Sequence, residues 1–477
     1  DPSKAVAPTV AWPGPASTFD RTKQPAAGPA PVFRSPKIWH GELANGVSTT
    51  GTIWKEAPFT TLTLSVPAGR RYETRAQAGL ASLTAQMLNE GTASLSTTEL
   101  AARLDELGAT FNVSASDDEI TLVLSCLDKN LDAAVKVLGD VLLHPRFAAS
   151  DFERKKKERL VAIETRGDNI AGIATQVFRR LLWGPGRVQG TPAMGTKESV
   201  GALTLADVLA FWREHATPSG ARLVYVGAND AAGVKSLFAP LASAWKSPSE
   251  VGTVAASARN ESPAPQVFST GLYLVDKPGA AQSEIRIGHL GLAANDAAFF
   301  PLSVVNYGLG GSFSSRINLN LREEHGYTYG ARSTVEVSLT PGAFWASAPV
   351  KTDVTKESIV ELMKELHGID AGLNADELKF AREALTQGAA TQYESTRALA
   401  DYVDNVSRLG WPEDYTARRL KQLAAMTLDE TKATAQKWIH ADRVLIVVVG
   451  DKAKILPGLK ELGYGDVIEL DIDGELV

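Results

Sequence analysis

Hydrophobic positions along this chain alternate between two periods, and each change of period marks a new element. Ile38–Leu43 and Val47–Trp54 read as short strands about the turn Asn45-Gly46. Thr60–Val66 alternates strictly, with Thr61, Thr63 and Ser65 on one side and Leu62, Leu64 and Val66 on the other, which predicts a strand. Helical spacing then takes over: Arg75–Asn89 carries Leu80, Leu83, Met87 and Leu88 on one side, and Ser96–Leu107 is a second helix stopped by Gly108. Thr110–Ser116 and Glu119–Leu127 predict a hairpin. Leu131–Leu143, Ala148–Arg166, Asn169–Leu182 and Thr204–His215 predict helices, and Ala221–Gly227 a strand.

Between Lys246 and Pro265 the sequence turns small and polar, with three prolines, and reads as a linker. A second series comes next. Gly271–Val275, Glu284–Gly291, Arg332–Leu339, Ala343–Val350 and Val444–Val449 predict strands. Ala297–Leu309, Thr355–His367, Ala375–Tyr393, Thr396–Leu409, Asp414–Leu423 and Leu428–Trp438 predict helices. The two series repeat. Thr204-Leu205 opens a helix leading to Val224-Tyr225-Val226-Gly227, and Thr427-Leu428 opens one leading to Val447-Val448-Val449-Gly450, both at an offset of 223. Glu119–Leu142 matches Ala343–Leu366 at an offset of 224. The expected fold is α+β: two homologous domains, each an antiparallel-rich sheet packed against helices, joined by a linker. The divisions are an arm at 1–37, a first domain at 38–245, the linker at 246–267 and a second domain at 268–477.

One stretch of the second series carries more chemistry than its neighbours. Leu309–Ala331 opens with Gly310-Gly311, offers Ser312, Ser314 and Ser315 as helix caps, and spaces Phe313, Ile317 and Leu321 as one apolar stripe. Gly326 is a natural helix stop. Tyr327 and Tyr329 come after it at period two, as on a strand. Arg322 near the helix end and a Tyr on the strand would place a guanidinium and a phenol, both hydrogen-bond donors, within reach of one peptide carbonyl.

Composition narrows the function. With 477 residues, 44% hydrophobic and 22% charged, the chain is long enough for two cores and ordinary for a globular protein. A net charge of −6 and the lack of a basic, aromatic-laced patch argue against a nucleic-acid surface. No apolar run approaches the ~20 residues that span a bilayer. Cys126 lies in an apolar run and reads as a small buried hydrophobe. The Pro- and Ala-rich arm fits the start of a mature exported chain, which points to a periplasm. The seven histidines are scattered, with no two within five residues, so no helical pair could meet one metal ion. There is no Gly-x-Ser-x-Gly elbow and no phosphate-binding Gly-x-x-x-x-Gly-Lys.

The duplication, together with Leu-Gly-Gly-x-Phe-Ser-Ser-Arg, Leu-Arg-Glu and Gly-x-x-Tyr in the 309–331 stretch, resembles the M16 peptidases, the group with an inverted zinc motif that includes insulysin, pitrilysin and the mitochondrial processing peptidases. Active members carry His-x-x-Glu-His on a helix of the first domain: two histidines and a later Glu bind zinc, and the Glu between the histidines activates water. The matching helix here is framed in the family manner, from Gly79-Leu80 to Gly91-Thr92. Ser82 and Gln86 stand at the histidine positions and Ala85 at that of the base. Glu164, near the third-ligand place, reads as a remnant. The resemblance therefore implies no metal bound by this chain. It also implies that Arg322 and Tyr329, seven residues apart, are the pair with which the second domain anchors the substrate backbone and stabilises the developing oxyanion. The chain so implied is a zinc-lacking subunit of a heterodimeric zinc metallopeptidase, whose His-x-x-Glu-His partner binds the zinc and whose substrates are peptides. The alternatives are a non-catalytic scaffold or core subunit, and a peptide-binding homologue that does not cleave.

Overall fold

The computed structural model describes residues 35–247 and 269–477, with 20, 22, 23, 264, 265 and 267. Most of the arm at 1–37 and of the linker at 246–267 lies outside the described residues. The first half builds one sheet from β1 (Ile38–Glu42), β2 (Ser48–Ile53), β3 (Phe59–Val66), β4 (Thr110–Ala115), β5 (Ile120–Leu127) and β6 (Arg222–Gly227), in the order β1-β2-β6-β3-β5-β4. The second half builds another from β7 (Gly271–Asp276), β8 (Gln282–Leu290), β9 (Arg332–Val335), β10 (Ala343–Lys351), β11 (Leu445–Gly450) and β12 (Val467–Leu470), in the order β12-β7-β11-β8-β10-β9. Five strands of one sheet repeat in the other: β2-β6-β3-β5-β4 and β7-β11-β8-β10-β9, each with one parallel pair, β2 with β6 and β7 with β11. The α+β fold in two halves is thus observed, and the outer strands β1 and β12 break the repeat.

Local signals account for most of the element ends. α1 is Leu80–Leu88, α2 Thr97–Glu106, α3 Leu131–Leu143, α4 Ala149–Thr165 and α5 Ile170–Trp183. Ser96 and Glu99 form a reciprocal capping box at α2. The expected helix Arg75–Asn89 is shorter: Arg75–Gln77 is a single 3₁₀ turn, and α1 starts only after Gly79, whose φ of 96° breaks the helical run. Arg332–Leu339 pairs only as far as Val335. The short helices Lys197–Ala202, Ala231–Leu237, Ala239–Ala244 and Lys452–Lys460, and strand β12, have no counterpart in the hydrophobic periodicity.

Each sheet packs its first face on its own helices. Leu62, Leu64, Leu122, Leu124, Leu223 and Tyr225 meet α1 and α3, while Ile285, Ile287, Phe344, Ile446 and Val448 form the core of the second half. The other faces are covered reciprocally. α5 of the first half lays Ile173, Ala174, Val177 and Phe178 on Leu445, Val447 and Val449. The helix Thr396–Leu409 of the second half lays Leu399, Ala400, Val403 and Val406 on Val224 and Val226. That is why Leu445–Gly450 is buried without alternation: both faces of β11 are inside. It is also why Thr61, Thr63 and Ser65, the polar side of β3, are buried, with Thr61 Oγ1 hydrogen-bonded to Thr396 Oγ1 at 2.8 Å and to Ser125 Oγ at 2.9 Å. Ion pairs join the halves around this exchange: Arg222 with Asp404 at 3.4 Å, Arg179 with Glu336 at 2.8 Å, Lys277 with Asp168 at 3.2 Å, and Arg166 and Arg180 with Asp473 and Glu475 of the C-terminal turn.

Candidate functional site

The 309–331 stretch does not fold as one regular helix followed by a strand. The helix Phe299–Asn306 continues into a π-helical turn, Tyr307–Gly311. A turn at Ser312–Ser315 intervenes, closed by Ser315 N–H donating to Ser312 O at 3.3 Å. Helical structure resumes at Arg316–Asn318 and widens into a second π turn, Leu319–Glu324. No serine side chain caps it; Ser315 occupies the N-cap position with extended backbone only. The interruption splits the expected stripe: Ile317 and Leu321 are fully buried, but Phe313 is 69% exposed. Gly326, at φ 65°, ends the turn as its position in the sequence suggests.

Tyr327 and Tyr329 are not on a strand. Residues 327–331 form a loop held from below by buried polar groups. Thr328 Oγ1 donates to Pro349 O at 2.5 Å and accepts from Gly330 N–H at 3.1 Å, and Asn318 Oδ1 accepts from Ala331 N–H at 3.0 Å. Asn318 also donates to Phe313 O at 2.7 Å, so one buried amide pins both ends of the segment. Tyr327 lies against the His325 ring, 4.9 Å between centroids, whereas Tyr329 sits at the loop apex and is 92% exposed. The Arg322 guanidinium lies over the Phe313 ring at 4.5 Å and within 3.5 Å of Glu323. Arg322 and Tyr329 nevertheless line one open cavity of ≈ 330 Å³, together with Gln282, Glu323, Gly326, Tyr327, Thr328 and Lys351. That is space for part of a peptide, bordered by a guanidinium, an ammonium, a carboxylate and two phenols.

The positions expected to match the zinc motif lie elsewhere; none of Ser82, Ala85 and Gln86 lines that cavity. α1 is held at its N-terminus by the buried Glu73 carboxylate, which accepts from Gly79 N–H at 3.1 Å and Ala81 N–H at 2.6 Å. Ser82 is committed to a closed network. Its hydroxyl reaches Ala193 O at 2.8 Å and Gly79 O at 3.1 Å, and receives a hydrogen bond from Arg159 Nη1 at 2.5 Å. Arg159 comes from α4, whose buried face is Phe152, Arg159 and Ile163, and is itself only 5% exposed. Burial pulls its guanidinium down to about 10, with nearby Glu73 acting the other way, so it stays charged at neutral pH. Gln86 is exposed and Ala85 buried, and Glu164 is a surface residue paired with Lys197 at 2.8 Å. Among the described residues no group of three His, Cys, Asp or Glu side chains could hold a metal. A zinc site does not fit here. Two of its positions lack ligand atoms of the needed kind, and a divalent ion ~4 Å from Arg159 would meet a repulsion of ~8 kcal/mol at an effective dielectric of ~20.

Glu73, Arg159 and the stacking of Phe313 are not singled out by the sequence. Arg159 falls at helical spacing between Phe152 and Ile163, but Lys155 and Lys156 share that stripe, so the sequence does not set the one buried cation apart. Glu73 lies outside any helix and Phe313 reads as core, so neither announces its role.

Comparison with known proteins identifies the family and the fold. The family model described as "Insulinase (Peptidase family M16)" matches residues 52–176, and that described as "Peptidase M16 inactive domain" matches residues 202–385. An uncharacterized zinc protease of Streptomyces coelicolor is 25% identical over 370 residues, covering 77% of this chain and 80% of that protein. A relative in Helicobacter pylori, described as a non-peptidase homolog, is 23% identical over 413 residues, covering 83% and 90%. The crystal structure of a peptidase M16 inactive domain from Pseudomonas fluorescens superposes with a TM-score of 0.79 at 24% identity, covering 87% of this chain and 98% of that one.

Proposed function

Because the chain belongs to the M16 peptidase family and lacks the family's zinc motif, we propose that it is the zinc-lacking subunit of a heterodimeric M16 metallopeptidase. Its partner is a homologue that carries His-x-x-Glu-His and the zinc. The observation that carries this reading is the pairing of a lost metal site with a kept donor pair: Arg322 and Tyr329 border one cavity, while positions 82, 85 and 86 offer no metal-binding set. The substrate is a peptide. Arg322 anchors its backbone through a fork of N–H donors, held flat by the Phe313 ring. Tyr329 donates its hydroxyl proton as a hydrogen bond to the carbonyl oxygen under attack, and that bond strengthens as the oxygen gains negative charge. The high exposure of Tyr329 and Phe313 supports a role completed by another surface, because neither side chain serves the core of this chain.

The test is reconstitution. The chain alone holds no stoichiometric zinc and cleaves no peptide. Mixed with a His-x-x-Glu-His homologue encoded beside it, it restores cleavage, and one zinc resides in the partner. Tight zinc in the isolated chain, or full activity of the partner alone, would refute the reading. The description of the Helicobacter relative as a non-peptidase homolog favours a second reading, a core or peptide-binding subunit without cleavage. In that case the mixture binds peptide but leaves it intact.

A further inference from the structure

The three motif positions have not simply been emptied. We infer that the guanidinium of Arg159 is the resident cation of the degenerate metal position: it occupies the place toward which residue 82 points, binds α1 to α4 and to the 193–194 backbone, and keeps divalent ions out. This rests on positions 82, 85 and 86 being those of the metal motif, not on the heterodimer reading, so its failure would leave that reading standing.

The contacts support a substitution of one cation for another. Arg159 Nη1 donates to Ser82 Oγ at 2.5 Å, to Gly79 O at 3.4 Å and to Met194 O at 3.5 Å, and Ser82 passes a hydrogen bond on to Ala193 O at 2.8 Å. Every acceptor in this set is a neutral oxygen. Burial lowers the guanidinium's pKa to about 10 and the nearby Glu73 carboxylate acts the other way, so it is charged at neutral pH. A metal ion held by residues 82, 86 and 164 would join α1 to α4. Arg159 makes that join with its own hydrogen bonds, and Gly79 shows how closely the parts fit: a Cβ there would lie 2.7 Å from Met194 O. Restoring two imidazoles and a carboxylate to α1 therefore leaves a positive charge standing where the zinc must go.

The experiment uses the full chain. S82H/A85E/Q86H is purified, dialysed against trace zinc and assayed for metal content, with circular dichroism to establish that it is folded. The expected result is less than stoichiometric zinc. Adding R159Q, which keeps an amide donor but removes the charge, tightens zinc binding by roughly a hundredfold or more in a chelator competition titration. Adding R159K in its place, which keeps the charge, gives no such gain. One tightly held zinc with Arg159 present overturns the inference, and so does an affinity that R159Q leaves unchanged or that R159K raises equally. If the triple variant does not fold, S82H/Q86H with and without R159Q restores both imidazoles, leaves Ala85 in the core and reads the same ratio of affinities.

Discussion

Val403→Ala tests whether the two halves stabilise one another through the exchanged helices. Val403 is fully buried on the helix Thr396–Leu409, against Val224 and Val226 of β6 in the other half. The substitution removes two methyl groups from that contact. Transfer alone accounts for ~1.6 kcal/mol, and the cavity left in a close-packed interface brings the total to ~2–3 kcal/mol. If the helix merely decorated its own half, that loss would stay there. With both faces of β6 buried and one of them supplied by this helix, the loss appears in the first half as well. Native-state hydrogen exchange read by mass spectrometry separates the two cases. The amides of β6 (Arg222–Gly227) and β3 (Phe59–Val66) should lose protection by the same ~2–3 kcal/mol as the helix itself. Val177→Ala on α5 is the mirror experiment and should loosen β11. Unchanged protection of β6 and β3 in Val403→Ala, with exchange confined to residues 396–409, would refute the argument.

Tyr329→Phe should leave the melting temperature of the chain unchanged, since the ring is exposed and its hydroxyl has no structural partner to lose among the described residues. In the reconstituted complex it should cut kcat by ~10²–10³, and an unaltered kcat would remove the oxyanion role. Phe313→Ala should weaken peptide binding by ~0.5–1 kcal/mol through loss of the stacked platform under Arg322, read as KM at constant fold; an unchanged KM argues against that platform. Gly79→Ala forces a side chain into positive φ and into Met194 O, and should destabilise by ~2 kcal/mol or more in denaturant unfolding; a loss below ~0.5 kcal/mol would show that the entry to α1 is slack. His289 is buried with Nδ1–H donating to Leu290 O and Nε2 accepting from His440 N–H, and burial pushes its pKa from 6.5 down to about 4. The unfolded chain then takes up a proton that the folded chain refuses, so stability is full above pH 6.5 and falls between 6.5 and about 4, by ~3 kcal/mol in total. His289→Gln should flatten that slope, and equal pH dependence in both proteins would exclude His289 as its source.

The positions where periodicity misleads are those at which a distant contact outweighs the local pattern. Thr61, Thr63 and Ser65 carry the signature of a solvent-facing edge, but a helix 335 residues further along lies on Thr61. Phe313 carries the spacing of a core residue, yet the turn at Ser312–Ser315 rotates it out of register and leaves it under Arg322. Tyr327 and Tyr329 carry the period of a strand, but a tethered loop shows the same period over three residues, too short a run to distinguish the two.

By itself the sequence determined the duplicated α+β plan, most of the strands and helices, the presence of Ser82, Ala85 and Gln86 where the family resemblance puts its zinc motif, and the Arg322–Tyr329 spacing. All of these are properties of residues a few positions apart or of a fixed offset. Only the tertiary structure decided that each half covers the other's sheet, that Arg322 and Tyr329 open onto one cavity, and that Arg159 stands beside Ser82. The physical reason is the same in each case: side-chain burial, ion placement and hydrogen-bond closure depend on which elements meet across the chain, and Arg159 and Ser82, 77 residues apart, become neighbours only when α4 packs on α1.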